Sequence, residues 1–261
     1  MATNQRTDTI LELLMRNDAM SVSHLSEALS VSEMTVRRDL AKMQNEGRIR
    51  LVNGVAFCPR DGESVTYDLE QQLGVHCREK DAIGRAAAAM LVPGDSVFID
   101  CGSTASAMLR YIPHDMDITV ICSTLNVLTE ARRKNIQRLV FTGGYYHPGT
   151  ETFESPEAIR MLGGIRSSKA FITASGVSRE LGLTCVEQYE TAVKQVAMAN
   201  GMKRILLVDS SKFSRVSPAF FGTWSSIDAV ITDVGVPEEW KTFLREQNIT
   251  LEIAEQERAS I

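Results

Sequence analysis

The amino-acid sequence predicts an α/β protein with two parts, an N-terminal winged helix-turn-helix domain and a C-terminal Rossmann-like, doubly wound domain. Three short amphipathic segments within residues 1–57 precede two strand-like runs that flank Asn53-Gly54, a pattern typical of helices followed by a hairpin. From residue 96 onward, short β-branched runs alternate with helical stretches, as in a parallel sheet covered by helices. The predicted boundaries are a winged helix-turn-helix domain over 1–57, a linker over 58–75, an α/β domain over 76–254 and a tail over 255–261.

The composition excludes several classes of protein. The 261 residues are 44% hydrophobic and 23% charged, close to the average of soluble globular proteins, which excludes disordered, collagen-like and low-complexity chains. No apolar run approaches the ~20 residues of a membrane span, and the first residues contain no apolar segment behind a basic one, as a secretory signal would. The five cysteines are scattered without a C-x-x-C pair, so we expect free thiols in a reducing cytosol and no structural zinc site.

Charge is unevenly distributed along the chain. The net charge is −5, and residues 1–57 contain seven basic and seven acidic groups, so the excess negative charge lies in residues 58–261. This balance argues against a protein that coats nucleic acid indiscriminately. Within residues 34–50, five basic groups accompany two acidic ones, which favours a local phosphate-binding surface in that segment.

The first two predicted helices follow from apolar spacing and a cap. The first runs from about Thr7 to Asn17, because its apolar residues fall on one helical face. Ser21 is the predicted N-cap of the second helix, which ends at a tight Ser30-Val31 connection. The residues predicted to face the core are Ile10, Leu13 and Leu14 in the first helix and Val22, Leu25 and Leu29 in the second.

The third predicted helix has one apolar and one basic face. It starts after Ser32 as its N-cap and reaches Glu46, where Gly47 stops it. The spacing i, i+4, i+7 predicts which residues point inward. Val36, Leu40 and Met43 are predicted to face the core, and Thr35, Arg37, Arg38 and Lys42 to face outward.

The segment after the third helix predicts a wing. Asn53-Gly54 is the strongest short hairpin signal, because both central positions of a type I′ turn need positive φ. A winged helix-turn-helix lays its third helix in the major groove, where arginine can bind guanine and threonine can contact thymine. A three-helix cap with solvated arginines is the alternative. The candidate DNA-binding residues are Ser32, Thr35, Arg37, Arg38, Lys42, Arg48, Arg50 and Asn53.

The third helix carries a family resemblance. Residues 31–40 read V-S-E-M-T-V-R-R-D-L and closely resemble V-S-x-x-T-I-R-R-D-L, the recognition-helix signature of the DeoR family of bacterial transcriptional repressors. The wing of that family commonly reads R-x-H-G-G-A, whereas residues 50–56 read R-L-V-N-G-V-A. The family's histidine and second glycine are therefore replaced, while the turn chemistry is retained.

The C-terminal part begins with a helix predicted around Glu79–Met90 and continues as alternating strands and helices. Such alternation predicts a mostly parallel sheet with its ligand site at the carboxyl ends of the strands. Met198 and Met202, at helical spacing, are predicted to lie in the core, as are Trp224 and Trp240. The predicted strands are Ser96–Asp100, Ile118–Ser123, Arg138–Thr142, Ala170–Ala174, Arg204–Asp209, Ala229–Thr232 and Thr250–Ile253. The predicted helices between them include Ala105–Tyr111, Leu125–Asn135, Glu190–Asn200 and Glu238–Gln247.

Four loops at the predicted strand ends contain polar residues that suit an anion. The loop D-C-G-S-T at 100–104 combines a glycine, two hydroxyls and the N–H groups of a helix start, which suit a phosphate. S-T-L-N at 123–126 repeats this arrangement, Gly143-Gly144 marks a third strand end, and Lys212 adds a point charge at a fourth. Several polar strand ends in register predict a shared pocket. A simple N-cap at Ser103 is the alternative.

The resemblance to the DeoR family extends over nearly the whole chain. Its landmarks here are D-C-G-S-T, S-T-L-N, Gly143-Gly144, Gly182-Leu183-Thr184, Glu190, Lys194, V-D-S-S-K-F at 208–213, and Lys80 with Ile83. The family's sensor domains are similar in fold to ribose-5-phosphate isomerase A and bind phosphorylated sugars or related metabolites, which release the repressor from its operator. A plain surface ion pair between Glu190 and Lys194 is an open alternative. The candidate effector-binding residues are Lys80, Asp100, Gly102, Ser103, Thr104, Ser123, Thr124, Asn126, Gly143, Gly144, Glu190, Lys194 and Lys212.

An isomerase-like enzyme fused to a DNA-binding domain is the alternative function. Aldose–ketose isomerisation needs a carboxylate base and a second group that moves hydroxyl protons. The isomerase relatives carry an acidic D-G-A-D-E run after the central strand, whereas residues 172–177 read I-T-A-S-G-V, without a carboxylate. We therefore expect a ligand sensor with no catalytic residues, no cofactor and no metal.

The expected function is that of a cytoplasmic repressor. The resemblance implies that it binds double-stranded operator DNA of a carbohydrate or nucleoside catabolic operon and is released by a phosphorylated sugar. We expect a homo-oligomer, a dimer or higher, because a single recognition helix buries too little surface for genomic specificity and paired half-sites supply it. No membrane partner is expected.

Overall fold

The computed structural model describes residues 3–17, 19–52, 54–58 and 68–256. The predicted DNA contact Asn53, residues 59–67 of the predicted linker and residues 257–261 of the predicted tail lie outside the described residues. The elements of the N-terminal region are α1 (Thr3–Asn17), β1 (Ala19–Ser21), α2 (Val22–Leu29), α3 (Glu33–Asn45), β2 (Arg50–Val52) and β3 (Val55–Phe57).

The three predicted helices and the hairpin are confirmed. The first helix starts at Thr3 rather than Thr7. Strands β2 and β3 pair antiparallel with Val52 opposite Val55, and Gly54 adopts φ +80° in the turn between them. The sequence did not predict β1, which joins the other edge of β3. A strand of three residues is too short to show an alternation of apolar and polar residues, so only the pairing with β3 defines it.

Serine caps set the starts of α2 and α3, as predicted. Ser21 accepts a hydrogen bond from the His24 amide at 3.1 Å, and Ser32 accepts one from the Thr35 amide at 3.3 Å. Ser30 adopts left-handed backbone angles at the end of α2, which turns the chain sharply between the two helices. The caps and this turn fix where α3 begins. The predicted inward residues Val36, Leu40 and Met43 are all buried.

The C-terminal region is built around a seven-stranded parallel sheet in the order β15-β14-β12-β9-β4-β5-β6. All seven predicted strands are present, with ends shifted by a few residues. The strands of this region are β4 (Ser96–Ile99), β5 (Thr119–Cys122), β6 (Arg138–Phe141), β7 (Tyr145–His147), β8 (Thr152–Glu154), β9 (Ser167–Thr173), β10 (Gly176–Ser178), β11 (Gly182–Cys185), β12 (Gly201–Leu207), β13 (Ala219–Gly222), β14 (Ala229–Asp233) and β15 (Thr250–Ala254).

Helices cover both faces of this sheet. Ile83 and Met108 lie in one apolar core and Val193 and Trp240 in the other, so side chains that alternate along the strands fill two cores. The prediction for Trp224 and Trp240 is confirmed, whereas Met202 lies on β12 with 80% of its surface exposed, so its placement in the core was wrong. The helices are α4 (Leu69–Leu73), α5 (Cys77–Ala89), α6 (Ser103–Leu109), α7 (Leu125–Arg133), α8 (Pro156–Gly163), α9 (Glu190–Asn200) and α10 (Glu238–Glu246).

The strand order creates a switch point between β4 and β9. From β4 the chain continues outward through β5 and β6, then returns to the other side of β4 at β9 and continues outward through β12, β14 and β15. In doubly wound sheets, ligands bind outside the carboxyl ends of the strands at such a point. Asp100 follows β4 directly and Thr173 ends β9, so both residues lie at this position.

Additional elements lie around the sheet. The hairpin β7–β8 and the sheet β10-β11-β13 were not predicted, and α4 forms within the predicted linker. An apolar cluster joins the two regions of the chain, and the His24 ring lies 3.5 Å from the Glu180 carboxylate. The cluster consists of Ala19, Val55 and Phe57 from the wing and Leu181 and Val216 from the C-terminal region. None of the helices in the described ranges is both long and apolar enough to cross a membrane.

Candidate functional site

The outward face of α3 is polar and basic, as predicted. Arg37, Arg38 and Lys42 are exposed. The guanidinium of Arg37 lies 3.3 Å from the Glu33 carboxylate, one helical turn away, and more than half of its side-chain surface is accessible. Such an exposed pair contributes little to stability, so Arg37 can exchange this partner for a base edge or a phosphate.

The start of α3 adds two further polar groups. The hydroxyls of Ser32 and Thr35 lie 3.0 Å apart, so both belong to the first turn of the helix. Met34 stands beside them with 77% of its surface exposed. The sequence analysis did not select Met34, although an apolar side chain in the major groove can contact a thymine methyl group. Its only signal in the sequence was its position between the cap and the basic residues.

The wing places its basic residues differently from α3. Arg48 lies 3.2 Å from the Asp8 carboxylate of α1 and 3.7 Å from that of Glu46. Arg50 is half-buried on β2. Both residues therefore lie closer to the body of the domain than the arginines of α3 do, and Arg48 joins the wing to α1.

A buried ionic cluster occupies the switch point of the large sheet. The ammonium nitrogen of Lys194 lies 2.5 Å from Asp100 Oδ2 and 3.3 Å from Glu190 Oε2. It also donates to the Thr173 carbonyl at 3.2 Å. All three charged side chains are almost completely buried. The open alternative of a surface pair between Glu190 and Lys194 is therefore wrong.

The pKa shifts in this cluster follow from burial and charge. Burial alone lowers the pKa of Lys194, but Asp100, Cys101 and Glu190 outweigh it, and that pKa lies well above its ordinary value. Burial raises the pKa of Glu190, although the charge of Lys194 acts in the opposite direction. The Cys101 thiol lies 3.4 Å from Glu190 Oε2, and burial raises its pKa well above the ordinary value. Lys194 therefore stays charged, and the thiol stays protonated.

The loop after β4 is connected to the loop after β5. Gly102 precedes α6 with φ +105°, and no side chain caps this helix, so the alternative of a simple cap at Ser103 is wrong. The Ser106 hydroxyl donates to the Gly102 carbonyl at 2.9 Å and accepts from the Asn126 amide at 2.6 Å. Ser103 and Thr104 are buried at the start of α6. The predicted residues of both loops therefore lie together.

Three buried polar atoms in or just after the loops that follow β5 and β12 have no hydrogen-bond partner among the described residues. They are Thr124 Oγ1, Asn126 Oδ1 and Asp209 Oδ2. A buried polar atom without a partner costs about 1–3 kcal/mol, so such atoms are usually satisfied by water or a ligand. Three of them on two strand ends of one sheet edge fit a pocket that accepts a polar ligand.

Lys80 of α5 is a further buried polar residue of the candidate site. It is 3% exposed, and its ammonium group donates to the Gln72 carbonyl of α4 at 2.6 Å. Burial lowers its pKa to about 8, while the charge of Asp209 raises that pKa and the charge of Lys212 lowers it. Lys80, Asp209 and Lys212 are therefore near one another. The structure thus brings α5 and the loop after β12 to the same corner of the pocket.

The predicted residues Gly143 and Gly144 lie at the base of the β7–β8 hairpin. Gly144 has φ +123°, and a Cβ atom there would lie 2.5 Å from the Glu154 carbonyl oxygen. Both the backbone angle and the close approach therefore require glycine at this position. The structure assigns Gly144 to the shape of the hairpin.

Sequence reasoning missed several buried or partly buried groups that lie next to the candidate residues. Thr173 donates its amide to Asp100 Oδ2 at 2.9 Å, and Tyr189 directly precedes Glu190 on the chain. Thr150 and Thr152 are buried in the β7–β8 hairpin. None of them belongs to a loop that directly follows a predicted strand and opens a helix, which was the signal used to find the others.

The basic face of α3 on a winged helix-turn-helix, together with a polar pocket in a doubly wound sheet, defines a DNA-binding regulator with a ligand-sensing domain. Two family models match this chain. Residues 6–61 match a DeoR-like helix-turn-helix domain, and residues 75–234 match the DeoR C-terminal sensor domain. The chain belongs to the DeoR family of transcriptional regulators.

Curated relatives match almost the full length of the chain. The deoxyribose operon repressor of Escherichia coli (strain K12) is 30% identical over 95% of this chain and 97% of its own length. The transcriptional regulator GolR of Listeria innocua is 28% identical over 96% of this chain and 98% of its own length. The glycerol-3-phosphate regulon repressor of E. coli (strain K12) is 27% identical over 97% of this chain and 100% of its own length. These relatives are regulators, and the chain is a transcriptional regulator and not an enzyme.

Solved structures show a more distant likeness. Ribose 5-phosphate isomerase A from Methanocaldococcus jannaschii is 18% identical with a TM-score of 0.39 over 51% of this chain and 53% of its own. The sorbitol operon regulator SorC from Klebsiella pneumoniae is 9% identical with a TM-score of 0.39 over 96% of both chains. Likenesses of this size say nothing about activity.

Proposed function

We propose that this regulator represses a carbohydrate or nucleoside catabolic operon and that a phosphorylated sugar releases it from its operator. The observation on which this rests is the set of buried polar oxygens without partners at the carboxyl ends of β5 and β12, together with the buried Lys80 near Asp209. A regulator of this kind acts in the cytoplasm, where its operator is.

Operator DNA is bound by the outward face of α3 in the major groove. Arg37 and Arg38 bind bases or phosphates, and Thr35 and Ser32 lie at the helix start where side chains first reach the groove. Lys42, Arg48 and Arg50 contact the phosphate backbone. Two copies of the chain bind two half-sites, because one recognition helix buries too little surface for a specific site in a genome. We therefore propose a homo-oligomer.

The phosphate of the effector binds where Lys80, Lys212 and the loop Gly102-Ser103-Thr104 meet. A phosphate carries close to two negative charges and three acceptor oxygens, so it needs donors from several directions. Two lysines supply charge, and two hydroxyls supply hydrogen bonds. The unpartnered oxygens of Thr124, Asn126 and Asp209 then bind hydroxyl groups of the sugar.

Release follows from competition for Lys80. In the structure its ammonium group is bound to the Gln72 carbonyl of α4, and α4 lies in the segment that joins the two regions of the chain. An effector phosphate takes this ammonium group and weakens the docking of α4. A ligand shifts an equilibrium only by its difference in affinity for the two states, and the exchange of Gln72 for phosphate supplies that difference.

The test measures operator binding and effector-driven release by fluorescence anisotropy with the full chain. Gly102→Val should block the phosphate sterically, and Lys80→Met and Lys212→Ala should weaken it electrostatically. Gly102→Val and Lys212→Ala should bind operator as the wild type does, yet need at least about tenfold more effector for release, a loss of about 1.4 kcal/mol. Lys80→Met also loses the hydrogen bond to Gln72, so it should bind operator more weakly than the wild type even without effector. The matched control is Lys203→Ala, which replaces an exposed lysine on β12.

Two results would contradict the proposal. Release of both Gly102→Val and Lys212→Ala at the wild-type effector concentration would remove the phosphate from this corner. Turnover of a pentose or hexose phosphate by the wild-type protein, lost in Glu190→Gln but retained in Arg37→Ala, would instead favour an isomerase.

A further inference from the structure

The hairpin β7–β8 lies beside the loop that contains Ser123 and Thr124, and only its base at Gly143 and Gly144 was part of the predicted site. It leaves the large sheet directly after β6, at the carboxyl edge where Asp100, Ser123 and Asp209 follow their own strands. The tight approach of Gly144 to Glu154 closes its base. The hairpin is therefore held over the edge of the sheet that contains the pocket.

Hydrogen bonds tie this hairpin to the loop after β5. The Phe153 amide donates to the Ser123 carbonyl at 2.7 Å, and the Leu125 amide donates to the Glu151 carbonyl at 2.9 Å. Thr152 forms a bridge with Thr124, whose buried hydroxyl has no partner. One strand of the hairpin therefore directly adjoins a candidate effector residue.

The other side of the hairpin contacts the start of α9. The His147 ring stacks on the Tyr189 ring with centroids 3.7 Å apart and planes 8° from parallel. The Tyr189 hydroxyl lies 3.0 Å from the buried Thr150 hydroxyl, and either oxygen can donate. His147, Thr150 and Tyr189 together are called the aromatic wall below.

The aromatic wall stands next to the buried ionic cluster. Tyr189 immediately precedes Glu190, and burial raises the pKa of its phenol to about 12, with Glu187, Glu190 and Cys101 adding to that rise. Cys101 belongs to the loop that contains Gly102. Tyr189 of the wall is therefore adjacent to Glu190 of the cluster, whose carboxylate lies 3.4 Å from the Cys101 thiol.

A second connection places the wall opposite Lys80. The Leu69 amide of α4 donates to the Gly149 carbonyl at the hairpin tip at 2.8 Å, and the next turn of α4 provides the Gln72 carbonyl that binds Lys80. The hairpin tip and Lys80 are thus separated by about one helical turn of α4. A ligand with its phosphate at Lys80 is therefore within reach of the hairpin tip.

We propose that the aromatic wall recognises the non-phosphate end of the effector and determines which phosphorylated sugar is accepted. This inference rests on the proposed function. The stacked rings offer apolar contact to sugar C–H groups, and the paired hydroxyls of Thr150 and Tyr189 reverse donor and acceptor to suit a sugar hydroxyl. A site that hydrogen-bonds a ligand hydroxyl discriminates strongly against the analogue without it.

The experiment measures binding to the full chain by titration calorimetry. The probes are inorganic phosphate and four phosphorylated compounds that differ away from the phosphate, namely glycerol 3-phosphate, ribose 5-phosphate, 2-deoxyribose 5-phosphate and fructose 6-phosphate. The variants are Tyr189→Phe, Thr150→Val and His147→Leu, with Tyr145→Phe as the control because Tyr145 is in the same hairpin and 75% exposed. Tyr189→Phe keeps the ring and removes only the hydroxyl, so it preserves the stack.

The expected result is a change in selectivity. The ratio of Kd values between the best sugar phosphate and its nearest competitor should change about tenfold or more in Tyr189→Phe or Thr150→Val, while the Kd of inorganic phosphate changes less than about twofold. A uniform loss of affinity for all five probes would overturn the inference, because it would show that the wall only anchors the hairpin. An unchanged ratio would overturn it as well. Failure of the wild-type protein to bind any of the sugar phosphates would overturn the proposed function, and this inference with it.

Discussion

The charged groups of the α3 face and those of the sensor pocket differ in their contact with water. On α3, Arg37 and Lys42 are more than half exposed and pair with Glu33 in the first turn and with Glu46 directly after the helix. In the pocket, Lys194 is 2% exposed at its side chain and pairs with Asp100 and Glu190. Exposed pairs contribute about 0–1 kcal/mol, whereas buried charges depend on their partners.

This difference suits the two kinds of ligand. DNA presents a regular row of phosphates, and mobile, hydrated side chains adjust to it with little loss of other contacts. A small ligand needs groups that are already held in place, because ordering side chains upon binding reduces affinity. Substitutions on α3 should therefore change DNA binding without changing stability, while substitutions in the buried cluster should change stability first.

The largest expected effect is on the buried cluster. Lys194→Met leaves Asp100 and Glu190 without their buried counter-charge and should lower the free energy of unfolding by about 3–5 kcal/mol, measured by urea denaturation. Lys203→Met on the exposed end of β12 should change it by less than about 0.5 kcal/mol. Equal effects of the two substitutions would show that burial does not distinguish these lysines.

The next effect is on operator affinity. Arg37→Ala and Arg38→Ala should each weaken operator binding by about 1–3 kcal/mol where the arginine binds a base, or reduce the salt slope by about 0.9 where it binds a phosphate. The free energy of unfolding should be unchanged. Arg160→Ala removes an equally exposed arginine of α8 and serves as the control in anisotropy titrations. Unchanged affinity and salt slope in both α3 variants would exclude α3 as the recognition helix.

The third expected effect is a dependence of effector affinity on pH. Lys80 has a pKa of about 8 in the unliganded protein, and a bound phosphate raises that pKa because it favours the charged form. Binding above pH 8 therefore takes up a proton, and effector affinity should fall by up to about tenfold per pH unit there, since one pKa unit corresponds to about 1.36 kcal/mol. Titrations from pH 7 to 9.5 measure this slope. Lys80→Arg should remove it because arginine stays charged, and a slope retained in this variant would assign it to another group.

The smallest effect concerns the helix caps. Ser21→Ala and Ser32→Ala should each lower the free energy of unfolding by about 1 kcal/mol, because each removes the acceptor for an N-terminal amide. Only Ser32→Ala should also weaken operator binding, since Ser32 starts the DNA-reading helix. If Ser21→Ala weakens operator binding as much as Ser32→Ala does, the loss of operator affinity comes from the lower stability of the domain and not from a contact between Ser32 and DNA.

Much of the architecture could be predicted from local patterns. Apolar spacing and serine caps placed α2 and α3, and β-branched runs placed the seven strands of the large sheet. The hairpin β7–β8 and the sheet β10-β11-β13 escaped because their short strands, which read Y-Y-H, T-F-E, G-V-S, G-L-T-C and A-F-F-G, lack the β-branched runs of the large sheet. Such short strands are defined by their partners and not by their own sequence.

The candidate site was predictable only in part, for a related reason. Glycine and hydroxyl residues after a strand marked the Gly102 and Thr124 loops, because that chemistry is local. The same reasoning could not tell a surface Lys194 from a buried one, and it gave no reason to select Thr173 or Tyr189. Their roles depend on which elements pack against each other across long stretches of chain.

The sequence by itself determined the helices, their caps, the strands and the polar residues at the strand ends, because hydrogen bonding and side-chain periodicity act between residues close along the chain. The tertiary structure decided that β9 lies beside β4, and thereby that Asp100, Thr173 and Lys194 meet at one switch point. It also decided that α4 binds Lys80 and that the hairpin stacks His147 on Tyr189. Strand order and packing depend on contacts between distant residues, and these contacts form only when the whole sheet is assembled.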